Sequence, residues 1–457
     1  MTHTLRRDDN RSAISIILAA GLFSLILYGV AAAVDLQRNP ELYLGLHAAL
    51  AGLMVLAWWK ARTAAPALRW IVLGAALFRL VTVCAEPTLS DDLYRYVWDG
   101  RVQASGVHPY AFAPTDEALE GLRDDDWTRI NHPELRTIYP PAAQMLFAAL
   151  AFLGAGTTGF KLFFALADLG VVAALALLLR RAGLPPDRLV LYAWNPLAVI
   201  EAAGSGHVEP VGVALVVLGA AWLAAKRANL SALALGLAVH VKILPAILIP
   251  GAIRRWRNPA VLVLAAVLVV LALPYALTGP AVGSGLFDYA ERWERNATIY
   301  SGVQGVLERA DTGNSLKPAV GALRERFGGT DEAWKRVYAR IWPREMARGV
   351  VGIAALCWVL GLSFRRGLTA PREIFLGLAG VLLLSPTLHP WYVLWLLPFA
   401  AAYASVPWLL FAALVPLAYL GAGDVPWSIR AVEYGIPLLA AVVLALRRRA
   451  APPVAVE

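Results

Sequence analysis

The sequence predicts an all-α protein that crosses a membrane many times. Its 457 residues are 59% hydrophobic and only 16% charged, whereas a soluble domain is nearer half apolar and a quarter charged. The mean hydropathy is +0.60. Apolar runs of spanning length recur along the chain and alternate with short basic clusters, such as 254–257 and 447–449. These observations exclude a soluble enzyme with a single membrane anchor.

The basic clusters predict the orientation of the spans. Lys and Arg accumulate in cytoplasmic loops, so we expect the basic clusters and the N-terminus to lie on the cytoplasmic side. The net charge of +9 is then explained by membrane topology, and no nucleic-acid partner is expected. Cys84 and Cys357 lie in apolar segments, which predicts packed thiols rather than a disulfide framework.

Thirteen apolar segments are expected to span the membrane, since a span needs about 17–25 apolar residues, or fewer among other helices. They are 12–33, 43–59, 68–84, 159–180, 189–203, 210–225, 229–253, 259–274, 347–363, 370–386, 391–404, 407–421 and 433–447. Segment 229–253 has cytoplasmic signals at both ends and carries Lys242 and Pro245 in its middle. It is therefore predicted to form a hairpin of two short helices that turns near Val241-Lys242 at the outer face, because broken helices are tolerated where they line a cavity.

Two long polar stretches, about 85–140 and 275–346, fall on the extracytoplasmic side by this count. Residues 141–154 are too short to span and are expected to form a helix in the outer interface. The chain therefore divides into five parts. They are 1–84 with three spanning helices, 85–158 with the first outer loop and its interfacial helices, 159–274 with further spans and the broken hairpin, 275–346 with the second outer loop, and 347–457 with the last spans.

The segment 90–100 concentrates charge and aromatic rings directly after an apolar run, and charge retained beside lipid tends to mark function. Helical spacing would place four of its side chains on one face: Asp92, Arg95, Tyr96 and Asp99. A carboxylate beside an arginine stays ionised near neutral pH, as a general base requires. We predict Asp92 as the base and Asp91 as the second candidate; a capped helix start is the structural alternative. The substrate-binding candidates here are Arg95, Tyr96, Asp99 and Arg101.

Later segments supply further binding candidates. Lys242, inside an apolar hairpin, needs an anion or water and is suited to a phosphate, although a lysine that extends to the interface is the alternative. The turn with His389, Trp391 and Tyr392 offers groups for a phosphate or sugar hydroxyls, although Trp and Tyr also gather at interfaces. Weaker candidates are His207 and Glu209 in a short outer turn and Tyr139 at the start of the interfacial helix.

The second outer loop carries four residues that could stack on a sugar but are assigned to ordinary loop packing: Tyr289, Trp293, Asn296 and Tyr300. No cofactor or metal site is predicted, although Asp91, Asp92 and Asp99 together could hold a divalent cation. The sequence has no P-loop, no GxGxxG after a strand and no CxxC pair, so nucleotide-dependent chemistry has no support.

Taken together, these motifs resemble those of bacterial polyprenol-phosphate-mannose-dependent mannosyltransferases of the integral-membrane, C-type glycosyltransferase superfamily. The similarity covers about residues 85–400, although many relatives have the acidic loop after the first span and here it follows the third. The motifs that carry it are Asp-Asp-Leu-Tyr-Arg-Tyr-Val-Trp-Asp-Gly-Arg at 91–101, Val107-His108-Pro109-Tyr110, Tyr139-Pro140-Pro141, Trp194-Asn195-Pro196, Gly206-His207, Lys242-Ile243-Leu244-Pro245 and His389-Pro390-Trp391-Tyr392.

The resemblance implies a C-type glycosyltransferase-like bundle of about 13–14 transmembrane helices with two large extracytoplasmic loops, in the plasma or inner membrane. It implies a polyprenyl-phosphate-linked sugar donor, a glycan or glycolipid acceptor, and transfer with inversion at an extracytoplasmic active site. Mannose is the expected sugar, but arabinose or glucose donors would give the same pattern. Asp92 matches the acidic base best, and Lys242 matches a lysine that aminoarabinose-transferring relatives place near the lipid phosphate.

Three other functions compete with this reading. A transporter or flippase for a lipid-linked sugar would also place charges in a membrane cavity and use broken helices, but it does not need two large folded loops. A ligase with a diphosphate-linked donor would use the same kinds of residues. A structural scaffold leaves Lys242 without a role.

Overall fold

The computed structural model describes residues 2–63, 67–279, 282–283, 285–286, 289, 292–421 and 423–450. It is 78% helical, and the described residues contain no β-strand. Six of the described helices are long and apolar enough to cross a membrane: Asn10–Ala33, Pro40–Ala61, Thr157–Arg181, Asn258–Thr278, Pro343–Phe364 and Trp427–Arg447. The prediction of an all-α polytopic membrane protein is thus confirmed.

The α-helices of the described residues are α1 (Thr2–Ala33), α2 (Pro40–Ala61), α3 (Leu68–Val83), α4 (Asp92–Ala104), α5 (Pro141–Phe152), α6 (Thr157–Arg181), α7 (Val190–Ala193), α8 (Pro196–Val199), α9 (Glu209–Ala224), α10 (Ala228–Val241), α11 (Ile249–Arg255), α12 (Asn258–Thr278), α13 (Thr298–Arg309), α14 (Thr312–Phe327), α15 (Asp331–Arg340), α16 (Pro343–Phe364), α17 (Ala370–Leu384), α18 (Leu397–Ala402), α19 (Val406–Leu414) and α20 (Trp427–Ala450). Short 3-10 helices lie at Glu117–Leu122, Asp125–Arg129, Pro186–Leu189, Leu244–Leu248, Pro390–Trp395 and Val415–Leu420, and a π-helical turn lies at Ile200–Gly204.

The expected continuous span 189–203 is broken into α7, α8 and the π-helical turn. Asn195 and Pro196 cause the break, since proline has no amide hydrogen to donate and disfavours the helical conformation of the residue before it. Asn195 is accordingly extended, and its side chain accepts a hydrogen bond from the amide of Leu197 at 3.1 Å. The segment is buried, which is where irregular backbone at membrane depth is tolerated.

The hairpin expected at 229–253 is interrupted at the residue that the sequence indicated. Helix α10 ends at Val241, and Lys242 has an extended backbone with φ −153° and ψ 142°. A 3-10 helix and α11 then carry the chain onward to Arg255. The extended residue turns the Lys242 side chain away from the helix axis, so that it can reach a cavity.

The spanning helices carry an apolar exterior. Leu22, Val270 and Leu277 are among the large apolar side chains that stay exposed on them, as a surface covered by lipid requires. The two cysteines belong to this exterior. The expectation that they are packed in the core is wrong, because Cys84 and Cys357 are both free and exposed.

One contact holds the segment 85–158 together, and another joins the segment 275–346 to the turn with His389. Helix α4 packs closely on α5, where Gly100 lies so near the carbonyl of Phe147 that an added Cβ would come within 2.4 Å of its oxygen. Farther along the chain, Arg295 and Thr387 form an isolated parallel bridge. The amide of Leu388 donates to the carbonyl of Arg295 at 2.8 Å. This bridge brings the second outer loop beside the turn that contains His389.

Candidate active site

A polar cavity of about 320 Å³ lies where the start of α4, the chain before α5, the break after α10, Arg295 and the turn with His389 meet. Among the predicted site residues, it is lined by Asp92, Arg95, Tyr139, Lys242, His389, Trp391 and Tyr392. The other lining residues are Asn131, His132, Leu135, Arg136, Ile138, Tyr289, Trp293, Glu294 and Arg295. Residues as far apart in the sequence as Asp92 and Tyr392 therefore face one space.

Asp92 is the carboxylate that faces the cavity. It is the first residue of α4, where the exposed amides of the helix start favour a negative charge. One of its oxygens accepts a hydrogen bond from Asn131 Nδ2 at 3.0 Å, and the other lies 3.7 Å from His207 Nδ1. Asp91 is exposed and does not line the cavity. The two neighbouring aspartates therefore differ in what they can reach.

Arg95 lines the cavity, but its partner is not Asp92. Its Nε donates to Asp99 Oδ1 at 2.9 Å, and its Nη2 donates to the carbonyl of Leu135 at 2.9 Å. Asp99 is buried behind the cavity, where it also accepts hydrogen bonds from Thr137 and Gln144. The i, i+4 pair thus ties α4 to the chain before α5, and the expected pairing of Arg95 with the base is corrected.

Two other predicted residues do not reach the cavity. Tyr96 is buried in an aromatic cluster, with its ring centroid 5.0 Å from those of Tyr139 and Phe147. Arg101 points elsewhere and forms an ion pair with Asp124 at 2.6 Å. Their positions follow from helical geometry, since α4 turns its buried face toward α5 and the opposite face toward the first outer loop.

Lys242 is a cation that lines the cavity. It forms an ion pair with Glu209, which is fully buried at the first position of α9. The ammonium also lies 4.7 Å from the centre of the Tyr392 ring. Because an ammonium has three N–H donors, the pair with Glu209 orients Lys242 and leaves donors available to a ligand.

Three rings form a stack, in which His389 and Trp391 line the cavity and the fully buried His207 lies behind them. The indole of Trp391 lies between two imidazoles, 4.2 Å from His207 and 4.3 Å from His389, with interplanar angles of 20° and 14°. Burial lowers the pKa of His389 to about 3, so its ring is neutral at physiological pH. A neutral imidazole has one donor and one acceptor nitrogen, which suits sugar hydroxyl groups.

Glu201 is a functional candidate that the sequence analysis missed. It is fully buried, and its Oε2 lies 3.4 Å from His207 Nε2. Its Oε1 accepts a hydrogen bond from Tyr419 at 2.8 Å. His207 therefore lies between the carboxylates of Asp92 and Glu201. The available signal was a lone acidic residue inside an otherwise apolar run.

The second outer loop contributes residues that were assigned to ordinary packing. The hydroxyl groups of Tyr289 and Tyr392 are 2.7 Å apart, and the Tyr289 ring stacks on Trp293 at 4.6 Å. Both Tyr289 and Trp293 line the cavity, so their assignment to packing is corrected. Asn296 and Tyr300 do pack: Asn296 donates to Glu433 at 2.8 Å, and the Tyr300 ring is buried.

An apolar cavity of about 160 Å³ adjoins the polar one. The two share Ile138, Tyr139, Lys242, Tyr289 and Tyr392. The remaining walls are mostly aliphatic or aromatic: Pro140, Ile243, Leu244, Leu286, Val381, Leu382, Ser385 and Trp395. Lys242 thus stands at the border between a polar and an apolar space.

The described residues around the cavity do not form a metal site. No group of three His, Cys, Asp or Glu side chains within the described ranges is arranged to hold a metal ion. Of the three aspartates considered for a cation, Asp99 is bound by Arg95, Thr137 and Gln144.

Comparison with known families assigns the chain. The model of the MptA_B family, described as alpha-(1->6)-mannopyranosyltransferase, N-terminal domain, matches residues 20–258. The chain belongs to this family. It is accordingly a multi-pass membrane glycosyltransferase that transfers mannose. No curated protein and no solved structure gives a significant match.

The matched region contains Asp92, Glu201, His207 and Lys242, whereas His389 lies beyond it. The stacking of Trp391 on His207 and the contact of Lys242 with the Tyr392 ring join the later part of the chain to the family domain at the cavity. Membership of an enzyme family also favours catalysis over the transporter alternative.

Proposed function

We propose that this protein transfers mannose from a polyprenyl-phosphate donor to a hydroxyl group of a glycan acceptor, on the extracytoplasmic side of the cell membrane and with Asp92 as the general base. The observation that carries the proposal is the pair of adjoining cavities, with Lys242 at their border and Asp92 in the polar one. Each part of a lipid-linked sugar then has a matching environment.

The donor is the amphipathic partner. Its isoprenoid chain is apolar and suits the aliphatic walls of the apolar cavity around Ile243 and Leu244. Ile243 is exposed at the protein surface. Its phosphate needs a cation where the chain meets the sugar, and Lys242 occupies that position. The sugar then lies in the polar cavity, where Trp391, His389 and Tyr392 offer ring surfaces and hydrogen-bonding groups.

The reaction is a single displacement at the anomeric carbon of the donor sugar. The acceptor oxygen forms a bond to the anomeric carbon while the bond from that carbon to the phosphate oxygen breaks. The acceptor proton moves to the Asp92 carboxylate, and the bonding electrons leave with the phosphate, whose charge is stabilised by Lys242. Preorganised charge of this kind counts for more in a site shielded from water.

His207 and Glu201 support the base. Their arrangement behind Asp92 resembles a carboxylate that orients an imidazole, which in turn orients the reacting group. Asn131 holds the other Asp92 oxygen. We assign these three residues to the positioning of Asp92, since none of them needs to touch the acceptor for that role.

Stereochemistry follows from the number of displacements. One displacement inverts the anomeric centre. The family description specifies alpha-(1->6) transfer, so an alpha-linked product requires a beta-linked donor. A beta-linked polyprenyl-phosphate mannose is therefore the proposed substrate.

The basic clusters support the proposed side of the membrane. Helix α17 begins after the basic pair Arg365-Arg366 and ends shortly before His389, which lines the cavity. Helix α20 contacts Asn296 near its N-terminal end and carries its basic cluster, 447–449, at the other end. Basic clusters mark the cytoplasmic side. The cavity lies at the opposite ends of these helices, which supports an extracytoplasmic site.

The test uses the purified full chain in lipid vesicles with radiolabelled polyprenyl-phosphate mannose and short mannooligosaccharides. We expect labelled product and released polyprenyl phosphate in equal amounts. Asp92→Asn should reduce turnover by roughly 10²–10⁴-fold with an unchanged melting temperature. Asp91→Asn is the matched control, because its exposed side chain does not line the cavity.

Two results would contradict the proposal. If Asp92→Asn retained turnover while folding normally, the assignment of the base would be wrong. If the wild-type chain transferred mannose only from a nucleotide sugar, the donor assignment would be wrong.

A further inference from the structure

A second polar cavity, of about 500 Å³, lies on the far side of Glu294 and Arg295, which line both spaces. It lies between one face of α13 and the start of α20. Its lining residues are Glu294, Arg295, Ala297, Ser301, Gly302, Gln304, Gly305, Glu308, Arg309, Gly423, Asp424, Trp427 and Arg430. It is larger than the first cavity, so it can hold a larger part of a ligand.

The wall between the two cavities is firmly held. Arg295 donates to the carbonyl groups of Gly421 and Gly423. Glu294 is partly buried, which raises the pKa of its carboxyl group, but hydrogen bonds from Arg344, Tyr300 and Arg348 bring that pKa below its ordinary value. A wall with this many contacts gives both cavities a defined shape.

The chemistry of the second cavity suits a neutral polyhydroxylated chain. Trp427 lies at the edge of this cavity and is 57% exposed. An exposed indole offers an apolar face to the C–H surface of a sugar. Ser301, Gln304 and Glu308 supply hydroxyl, amide and carboxylate groups on one side of α13. Both donors and acceptors are therefore available for hydroxyl groups.

An anionic ligand fits less well. Arg430 already pairs with Asp424 and donates to Ser301. Arg295 is occupied by backbone carbonyl groups, and two further carboxylates, Glu294 and Glu308, face the same space. Two of the three arginines that line the cavity are thus engaged, and carboxylates lie beside the third, Arg309, so the cavity does not favour a phosphate.

We propose that this second cavity binds the acceptor glycan. The terminal mannose presents its hydroxyl group to Asp92 in the first cavity, and the preceding sugars extend past Glu294 and Arg295 to stack on Trp427. This inference rests on the proposed function, because it takes the first cavity as the place of transfer. It adds that the acceptor is recognised as a chain of several sugars.

The experiment measures kinetics with mannooligosaccharides of increasing length at a saturating concentration of the polyprenyl-phosphate donor. For the wild-type chain, the acceptor KM should fall as the oligosaccharide becomes long enough to reach the second cavity. Trp427→Ala should raise the KM of long acceptors by roughly 3- to 10-fold. The donor KM and the kinetics with the shortest acceptor should not change.

Two further variants keep the result interpretable. Gly302→Leu places a side chain in the cavity from α13, where an added Cβ has no heavy atom within 4 Å. It should raise the KM of long acceptors in the same way, and the protein should still fold. Trp59→Ala is the control, since Trp59 is equally exposed, at 58%, but lies on α2 outside both cavities.

The outcomes separate this inference from the function on which it rests. If the wild-type chain transfers mannose but its acceptor KM does not depend on length, or if Trp427→Ala and Gly302→Leu leave the long-acceptor KM unchanged, the acceptor site is wrong and the proposed function stands. If no acceptor of any length receives mannose from the polyprenyl-phosphate donor, the proposed function itself fails.

Discussion

Replacing Lys242 by methionine removes the cation that both faces the cavity and neutralises a buried carboxylate. Glu209 is fully buried, whereas the Lys242 side chain is 19% exposed. Removal of one partner from a buried ion pair costs about 3–5 kcal/mol, because the remaining charge is left without compensation. Lys242→Met should therefore destabilise the protein by about that amount, and Glu209→Gln should cost less, since Lys242 retains access to water in the cavity.

The double variant separates stability from activity. In Lys242→Met with Glu209→Gln, no charge is left unpaired, so most of the lost stability should return. Activity should not return, because nothing replaces the ammonium at the phosphate. By analogy with the loss of other electrostatic groups, turnover should stay lower by roughly 10²–10³-fold.

The assays are thermal and denaturant unfolding of the protein in one detergent, together with kcat and KM for the polyprenyl-phosphate donor in vesicles. Two results would refute the reasoning. If the double variant regained activity together with stability, Lys242 would have a structural role only. If Lys242→Met were no less stable than Glu209→Gln, the uncompensated buried carboxylate would not be the source of the cost.

Two other predictions concern stability. His389 has a pKa of about 3 in the folded protein against 6.5 as its ordinary value, so unfolding takes up a proton between these values and stability falls as the pH drops below about 6.5. Between pH 7 and pH 5, His389→Gln should lose less stability than the wild-type chain by on the order of 1–2 kcal/mol; parallel pH curves would contradict this. Gly100→Ala should cost about 1–3 kcal/mol, since its Cβ would meet the backbone of Phe147. Gly45→Ala, where an added Cβ meets nothing within 4 Å, should be neutral or slightly stabilising in the same melts; equal losses in both variants would exclude a steric cause.

Local patterns in the sequence were sufficient for the parts that depend on near neighbours. A helix through Asp92 and Asp99 was expected from the spacing of their side chains, and the break at Lys242 followed from charge and proline inside an apolar run. The apolar segments predicted a membrane protein, because a bilayer demands the same composition of any chain that crosses it. The length of the individual spans was less predictable, as the interruption at Asn195 and Pro196 shows.

Side-chain partners across the fold were not predictable in this way. Arg95 forms its ion pair with Asp99 rather than with Asp92. This pairing depends on the positions of Thr137 and Gln144, which donate hydrogen bonds to the same Asp99 carboxylate. Glu201 became a candidate only when its contact with His207 was seen. Such choices are made by packing between distant segments.

The amino-acid sequence by itself determined that the chain is a helical membrane protein with an acidic polar stretch at about 85–140, a broken helix at Lys242 and motifs typical of lipid-linked sugar transfer. These features depend on the spacing of hydrophobic residues, on charge and on proline, and each of these acts on its neighbours within a few residues. Only the tertiary structure decided that Tyr289, Trp293 and Arg295 complete the cavity and that a second polar space lies beyond them. The physical reason is that this wall depends on a bridge between Arg295 and Thr387, and a contact across 92 positions leaves no local pattern in the sequence.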